Sequence, residues 1–173
     1  MTDAEFCFKI KYTESICKDK LDGRMLLLVS SNDKAEPRFQ ISDGGNTQLI
    51  FGIDIDDHSL EEYVIVDGEV IGYPLDSIND IPKGDYWVQA VLHKYETFPR
   101  ADGHTIKLPM DRGEGQKWSK APGNLISTPK KVLIDPTSRK SISITLDSVI
   151  PDFPPYEDTK YVKNIRMESK LLS

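Results

Sequence analysis

The chain has 173 residues, enough for one domain with a single sizeable core, or one domain and a tail, and too few for two full domains. Its formal net charge of -6, with no cluster of Lys and Arg, excludes a nucleic-acid partner, because that affinity is mostly neutralisation of phosphates by grouped basic side chains. No apolar run approaches the roughly 18 residues that span a bilayer, and the polar start Met1-Thr-Asp-Ala-Glu carries no secretory signal.

In Glu5 to Tyr12, Phe6, Phe8, Ile10 and Tyr12 alternate with Cys7, Lys9 and Lys11, which predicts a half-exposed strand with one apolar face. Cys7 and Cys17 lack metal-ligand spacing, and one pair is too few for a disulfide framework, so both read as unpaired thiols. Lys18 to Arg24 is a turn. Arg24 to Ser31, with Met-Leu-Leu-Leu-Val at its centre, predicts a strand buried on both faces. A polar loop over 30–38 and the break Asp43-Gly-Gly-Asn precede a third strand from Gln48 to Asp56.

Tyr63 to Tyr73 holds two β-branched runs divided by Asp67-Gly68, a pair that tolerates the positive φ of a tight turn, and its simplest reading is a hairpin. Residues 54–85 carry ten acids against one lysine, Lys83. Asp54, Asp56 and Asp57 are the residue types that ligate calcium, but they lack the spaced loop with a later Glu, and a solvated acidic surface is the reading adopted. No metal site is expected.

The stretch from Asp80 to Tyr95 carries a turn, a strand and an anchoring tyrosine in uninterrupted order. Tyr86, Val88, Ala90 and Leu92 share one face, and Trp87, Gln89, Val91 and His93 the other. A single helical turn is expected around Leu75 to Asn79. Ile78, Ile81, Pro82 and Gly84 lead into Tyr86 as in a tyrosine corner of a Greek-key sandwich, whose hydroxyl reaches back to the backbone a few residues upstream. Gly84 and Tyr86 are therefore expected to be structural.

Glu96 to Lys130 reads as a long loop rich in Pro and Gly. It holds Phe98, Arg100, Asp102, His104, Glu114, Gln116, Trp118 and Asn124, and loops of that length in a compact domain are usually functional or pack on a partner. With Tyr95, these residues are the candidate partner- or ligand-contacting set. Lys130 to Asp135 and Ser141 to Ile150 return to strand periodicity. After the break Pro151-Asp-Phe-Pro-Pro155, Lys160 to Ser173 places Tyr161, Ile165, Met167 and Leu171 on one parity, the pattern of a strand with one apolar face. The expected fold is all-β: an immunoglobulin-like, Greek-key β-sandwich over 1–150 with a long Pro/Gly-rich insertion, then a linker and strand over 151–173.

The usual catalytic signatures are missing from the sequence. His58, His93 and His104 lie on different segments without a zinc-binding spacing. There is no Gly-x-Ser-x-Gly elbow, phosphate loop or dinucleotide fingerprint, so no catalytic residue and no cofactor is assigned. A pair of glycosidase carboxylates has no sequence signature, because their separation is set by the fold.

Gly84 to Pro109, Gly113-Glu-Gly-Gln-Lys-Trp118 and Pro122-Gly-Asn-Leu-Ile-Ser127 resemble the N-terminal region of bacterial esterases of the enterochelin-esterase-like kind. The likeness is specific over 72–135 and weaker over the first 60 residues. It implies a non-catalytic accessory domain beside a C-terminal α/β-hydrolase domain of the same parent chain, with the Ser, acid and His of that enzyme outside residues 1–173 and an ester as substrate. It further implies a periplasmic or secreted parent whose signal peptide has been removed. The alternative from another class is a carbohydrate-binding module, with Trp87, Tyr95, Phe98 or Trp118 stacking on a glycan beside Gln89, Asp102 and His104. An unpaired apolar strand over 160–173 would either dock on its own sandwich or join two copies as a homodimer.

Overall fold

Two largely apolar runs, Met25 to Val29 and Val88 to Leu92, pair antiparallel at the centre of the protein, and every one of their residues is buried, Gln89 being the one polar member. The structure, a computed structural model, describes residues 5–111, 113–165 and 167–171. It is nearly all β. The strands are β1 (Cys7–Tyr12), β2 (Leu21–Ser30), β3 (Leu49–His58), β4 (Val64–Val66), β5 (Gly72–Tyr73), β6 (Gly84–Lys94), β7 (Glu96–Pro99), β8 (Thr105–Leu108), β9 (Leu125–Ile126), β10 (Lys130–Ile134), β11 (Ser141–Leu146) and β12 (Ser148–Val149). Short 3-10 turns cover Pro37–Phe39 and Ile78–Asp80, the second overlapping the helical turn expected around Leu75 to Asn79 at its last two residues.

The larger sheet has the order β12-β9-β6-β2-β3-β5, with β10 also on the first half of β6. The smaller is β11-β1-β4, in which β1 runs parallel to β11 and antiparallel to β4. Strands β7 and β8 form a separate hairpin. One core lies between the two sheets: Phe8, Ile10 and Tyr12 from the smaller meet Met25, Leu27, Val29, Val88, Ala90 and Leu92 from the larger. The period-two alternation of β1 is what makes this possible, since it turns the aromatic and aliphatic positions inward and leaves Lys9 and Lys11 on the other face.

Leu26, Leu28 and Val91 point to the opposite face of the larger sheet, where Ile41, Ile50, Trp118 and Ile126 cover them in a second, smaller core. Gln89 shares that face and is fully buried. Its Nε2 donates to Glu36 Oε2 at 2.8 Å and to the Ser127 carbonyl at 3.0 Å, and its Oε1 accepts from the Arg38 amide at 3.1 Å. Burial alone would push the Glu36 carboxyl up, but hydrogen bonds from Arg38 and Gln89 and the Arg38 charge hold it below the usual range. A buried amide with all these bonds made is stable, whereas breaking any one of them exposes the cost of its desolvation. The segments 31–48 and 119–127 are thus tied to β6 by one side chain.

Tyr86 packs its ring against the core and donates its hydroxyl back to the Pro82 carbonyl four residues upstream at 2.9 Å. Gly84 has no positive φ, and a Cβ there would meet only the Tyr86 ring at 3.5 Å, an ordinary contact, so glycine is not required at that position. A tighter demand falls on Gly23, where an added Cβ would lie 2.2 Å from the His93 carbonyl oxygen of the neighbouring strand. At the far end of the core, the buried Tyr12 hydroxyl lies 2.8 Å from the His58 carbonyl and 3.0 Å from that of Asp19, and burial pushes its pKa up to about 12.

Three expectations are corrected. Tyr63 to Tyr73 is not a hairpin: β4 joins β1 in the smaller sheet and β5 joins β3 in the larger. Asp67-Gly68 instead turns the chain between sheets, held by Ser77, whose hydroxyl donates to the Gly68 carbonyl at 2.8 Å. The 96–130 stretch is not one loop, since it contains β7, β8 and β9. Among the described residues of the tail no strand forms, and those from 151 to 171 are all exposed, because the parity of a lone strand has no ladder to hold it.

Tyr86→Phe should lower stability by about 0.5–1.5 kcal/mol, the net value of one hydrogen bond at a partly exposed site; an unchanged urea midpoint would show that the hydroxyl fastens nothing. Gln89→Leu, of similar volume, should cost about 2–3 kcal/mol because Glu36, Ser127 and the Arg38 amide lose their shared partner. The urea midpoint of that variant measures it directly.

Candidate functional site

As β6 runs out of the larger sheet, its last residues and the segment that follows enclose a cleft of ≈ 200 Å³. His93, Lys94, Tyr95 and Glu96 form one side, and Met110 with Ala121 to Asn124 the other. The floor is fixed by backbone. The Tyr95 amide donates to the Asp22 carbonyl at 2.9 Å, and the Gly123 amide to the Ile150 carbonyl at 2.8 Å. Asn124, buried, accepts from the Lys94 amide through Oδ1 at 3.0 Å and donates through Nδ2 to the Trp118 carbonyl at 2.8 Å. Its side chain is therefore the clamp that closes the cleft, with both ends of the amide already in use.

The next turn of chain is shaped by glycine. Gly113 and Gly115 have φ of 108° and 67°, which side chains rarely adopt, and the Asp111 carboxylate accepts from both of their amides, at 2.9 and 3.3 Å. That turn buries Glu114. Burial pushes the His93 imidazole down, and the Glu114 charge opposes this without reversing it, so His93 is held neutral near neutral pH. The rings of His93 and Tyr95 meet edge to face, with centroids 5.7 Å apart. Burial also raises the Tyr95 phenol above its ordinary value.

Of the predicted contact residues, the structure brings Tyr95 and Asn124 into the cleft and sets Glu114 within electrostatic reach of His93. Arg100, Asp102 and His104 sit elsewhere, in the turn between β7 and β8. Asp102 there pairs with Arg100 at 2.8 Å and lies 3.3 Å from the His104 ring, contacts that shape an exposed tip. Phe98 stands opposite Ile106 in the same hairpin. Gln116 is exposed with a positive φ of 61°, and Trp118 belongs to the second core. Lys107 of β8 ties the hairpin back by pairing with Asp22, at 2.9 Å, and with Asp56.

Sequence reasoning passed over His93, Met110 and Pro122 as site residues. His93 was visible as a strand position, but its burial depends on the 110–124 segment folding over it. The aromatics proposed for stacking do not form one platform: Trp87 lies near the start of β6 and Tyr95 just past its end, eight positions on, about 26 Å of extended chain. Gln89 is consumed by its own buried bonds. Asp54, Asp56 and Asp57 engage three different bases, Arg24, Lys107 and Lys20. No group of three metal-binding side chains occurs among the described residues.

No protein-family model matches this chain, and neither a curated protein nor a solved structure was found to match it.

The cleft is smaller than the ~300–1,000 Å³ of most small-molecule sites and holds a neutral imidazole, a phenol edge, a thioether and backbone. Because His93 is neutral in the folded state, the unfolded chain takes up its proton first, so its contribution to stability is complete above the unfolded pKa of about 6.5 and is lost as pH falls below it. His93→Gln should therefore flatten the decline in urea midpoint just below pH 6.5; an identical decline in the variant would place His93 in water.

Proposed function

We propose that the chain is a non-catalytic accessory domain that docks on another folded body through the end of the larger sheet formed by 93–127. The observation that carries this reading is the ≈ 200 Å³ cleft, whose buried Asn124 amide is already committed to the fold and whose size suits one inserted side chain. Around it the surface is mixed: Met110 and Leu108 are exposed beside Glu96 and Lys94, as at the rim of a transient interface. The sequence likeness over 72–135 supplies the kind of partner, an α/β-hydrolase domain of the same parent chain whose active site this end would shape. The reach-back bond of Tyr86 and the division of strands between two sheets support the immunoglobulin-like, Greek-key class for the scaffold.

A catalytic role for 1–173 would need a nucleophile beside an activating base. His93 is the one imidazole in the cleft, and neither Ser nor Cys lines it. The purified chain should give no turnover of short-chain nitrophenyl esters above the buffer rate. Hydrolysis abolished by His93→Gln would overturn the reading. The coding sequence downstream of Ser173 tests the partner separately, a Gly-x-Ser-x-Gly motif being the expected finding.

A further inference from the structure

A second concavity, of ≈ 770 Å³, lies between the edges of the two sheets, lined by β3 and β4. One wall is β3. Its outer side is paired by β5 only at Ile50 and Phe51, and among the described residues no strand covers it from Ile53 to His58. The other wall is β4, itself the edge of the smaller sheet. Bare edges of this kind are templates for an added strand. Ile65 and Ile71 stand exposed in the groove, and Ile53 and Ile55 are only partly covered at the margin of the main core. Asp54, Asp56, Asp67 and Glu69 line it; Asp54 is paired with Arg24 and Asp56 with Lys107, at exposed sites where the carboxylates still face the groove. His58 lines it as well, and its Nε2 is a buried side-chain atom without a hydrogen-bond partner.

The complement to this groove is in the same chain. Residues 160–171 alternate as a strand does, placing Ile165, Met167 and Leu171 on one parity and Arg166 and Lys170 on the other, and they carry four bases against one acid, Glu168. Tyr161, Ile165, Met167 and Leu171 are all nearly fully exposed. An added strand along β3 would turn the apolar parity toward Ile53, Ile55 and Ile65, and the basic parity toward Asp54 and Asp56. The tail leaves the fold from β12, at the other edge of the larger sheet and four strands from β3, and its described residues belong to no strand of either sheet.

We propose that residues 160–171 of a second copy occupy this groove as a strand added to β3, so that two copies exchange tails. The inference does not rest on the accessory-domain reading, since the groove and the 93–124 cleft share no lining residue.

The test is a charge exchange in the full-length chain, followed by sedimentation across a dilution series. The unaltered chain should show a monomer–dimer equilibrium. Arg166→Glu with Lys170→Glu in the tail, or Asp54→Lys with Glu69→Lys in the groove, should each raise the dimer dissociation constant at least about tenfold. Mixing the two variants should restore association as a heterodimer, because every tail then meets a groove of opposite charge; that recovery also shows that both variants are folded. A chain that is monomeric at every dilution, including one whose tail lies in its own groove, overturns the proposal. So does a dimer that the tail variant leaves unchanged, whatever the groove variant does.

Discussion

The antiparallel pairing of β2 with β6 is the constraint on which the rest of the structure depends. Strands of an antiparallel sheet commonly bury one face and wet the other, but Met25 to Val29 and Val88 to Leu92 have apolar residues on both. Two covers are then needed. The smaller sheet supplies one with Phe8, Ile10 and Tyr12, and the other is assembled from irregular chain, Ile41 from one side and Trp118 from the other. Loops cannot bury their backbone groups without partners, which explains why polar side chains are placed under them: Gln89 for 36–38 and 127, Asn124 for 94 and 118. The candidate cleft is a by-product of that second cover, left where Asn124 holds the returning chain against the end of β6.

Much of the all-β scaffold was legible in the sequence because period-two alternation is a local property. Phe8-x-Ile10-x-Tyr12 and the 86–92 stretch reveal which side is inward before any partner is known. The turn at Asp67-Gly68 was misread for a related reason: the dipeptide specifies a reversal, while the destination of the next strand is decided by Val64 and Val66 meeting β1 and by Gly72 meeting β3. The hairpin of β7 and β8 was obscured by Pro99 and Gly103, which read as breakers although one ends a strand and the other turns the chain between two. Part of the site was legible too. Tyr95 and Asn124 could be named from their setting, whereas His93 became notable only through a neighbour, Glu114, whose proximity is set by the glycine turn at 113–115.

Charge is arranged unevenly over this scaffold. The acids of 54–57 are individually matched to Arg24, Lys107 and Lys20, and Asp22 is held below the usual carboxylate range by the Asp57 amide first and Lys107 second. These contacts are exposed and contribute little to stability. Their effect is positional, since Lys107 fastens the β7–β8 hairpin to β2 and β3 across two pairs. Salt should therefore loosen the hairpin before it affects either core.

The parallel alignment of Cys7 with Ser141, continuing to Tyr12 with Leu146, makes one of the first strands synthesised wait for one of the last. In the smaller sheet β1 is the central strand, so until β11 leaves the ribosome Phe8, Ile10 and Tyr12 have only the three residues of β4 beside them. The larger sheet, whose central strands lie within 21–94, is able to pair far earlier. Synthesis therefore passes through a period in which one sheet exists and its apolar inner face has no lid, and contacts of such long sequence separation close slowly. During that interval the nascent protein presents to the cell a surface that the finished fold never shows, and the length of the interval is set by the time needed to translate from β6 to β11.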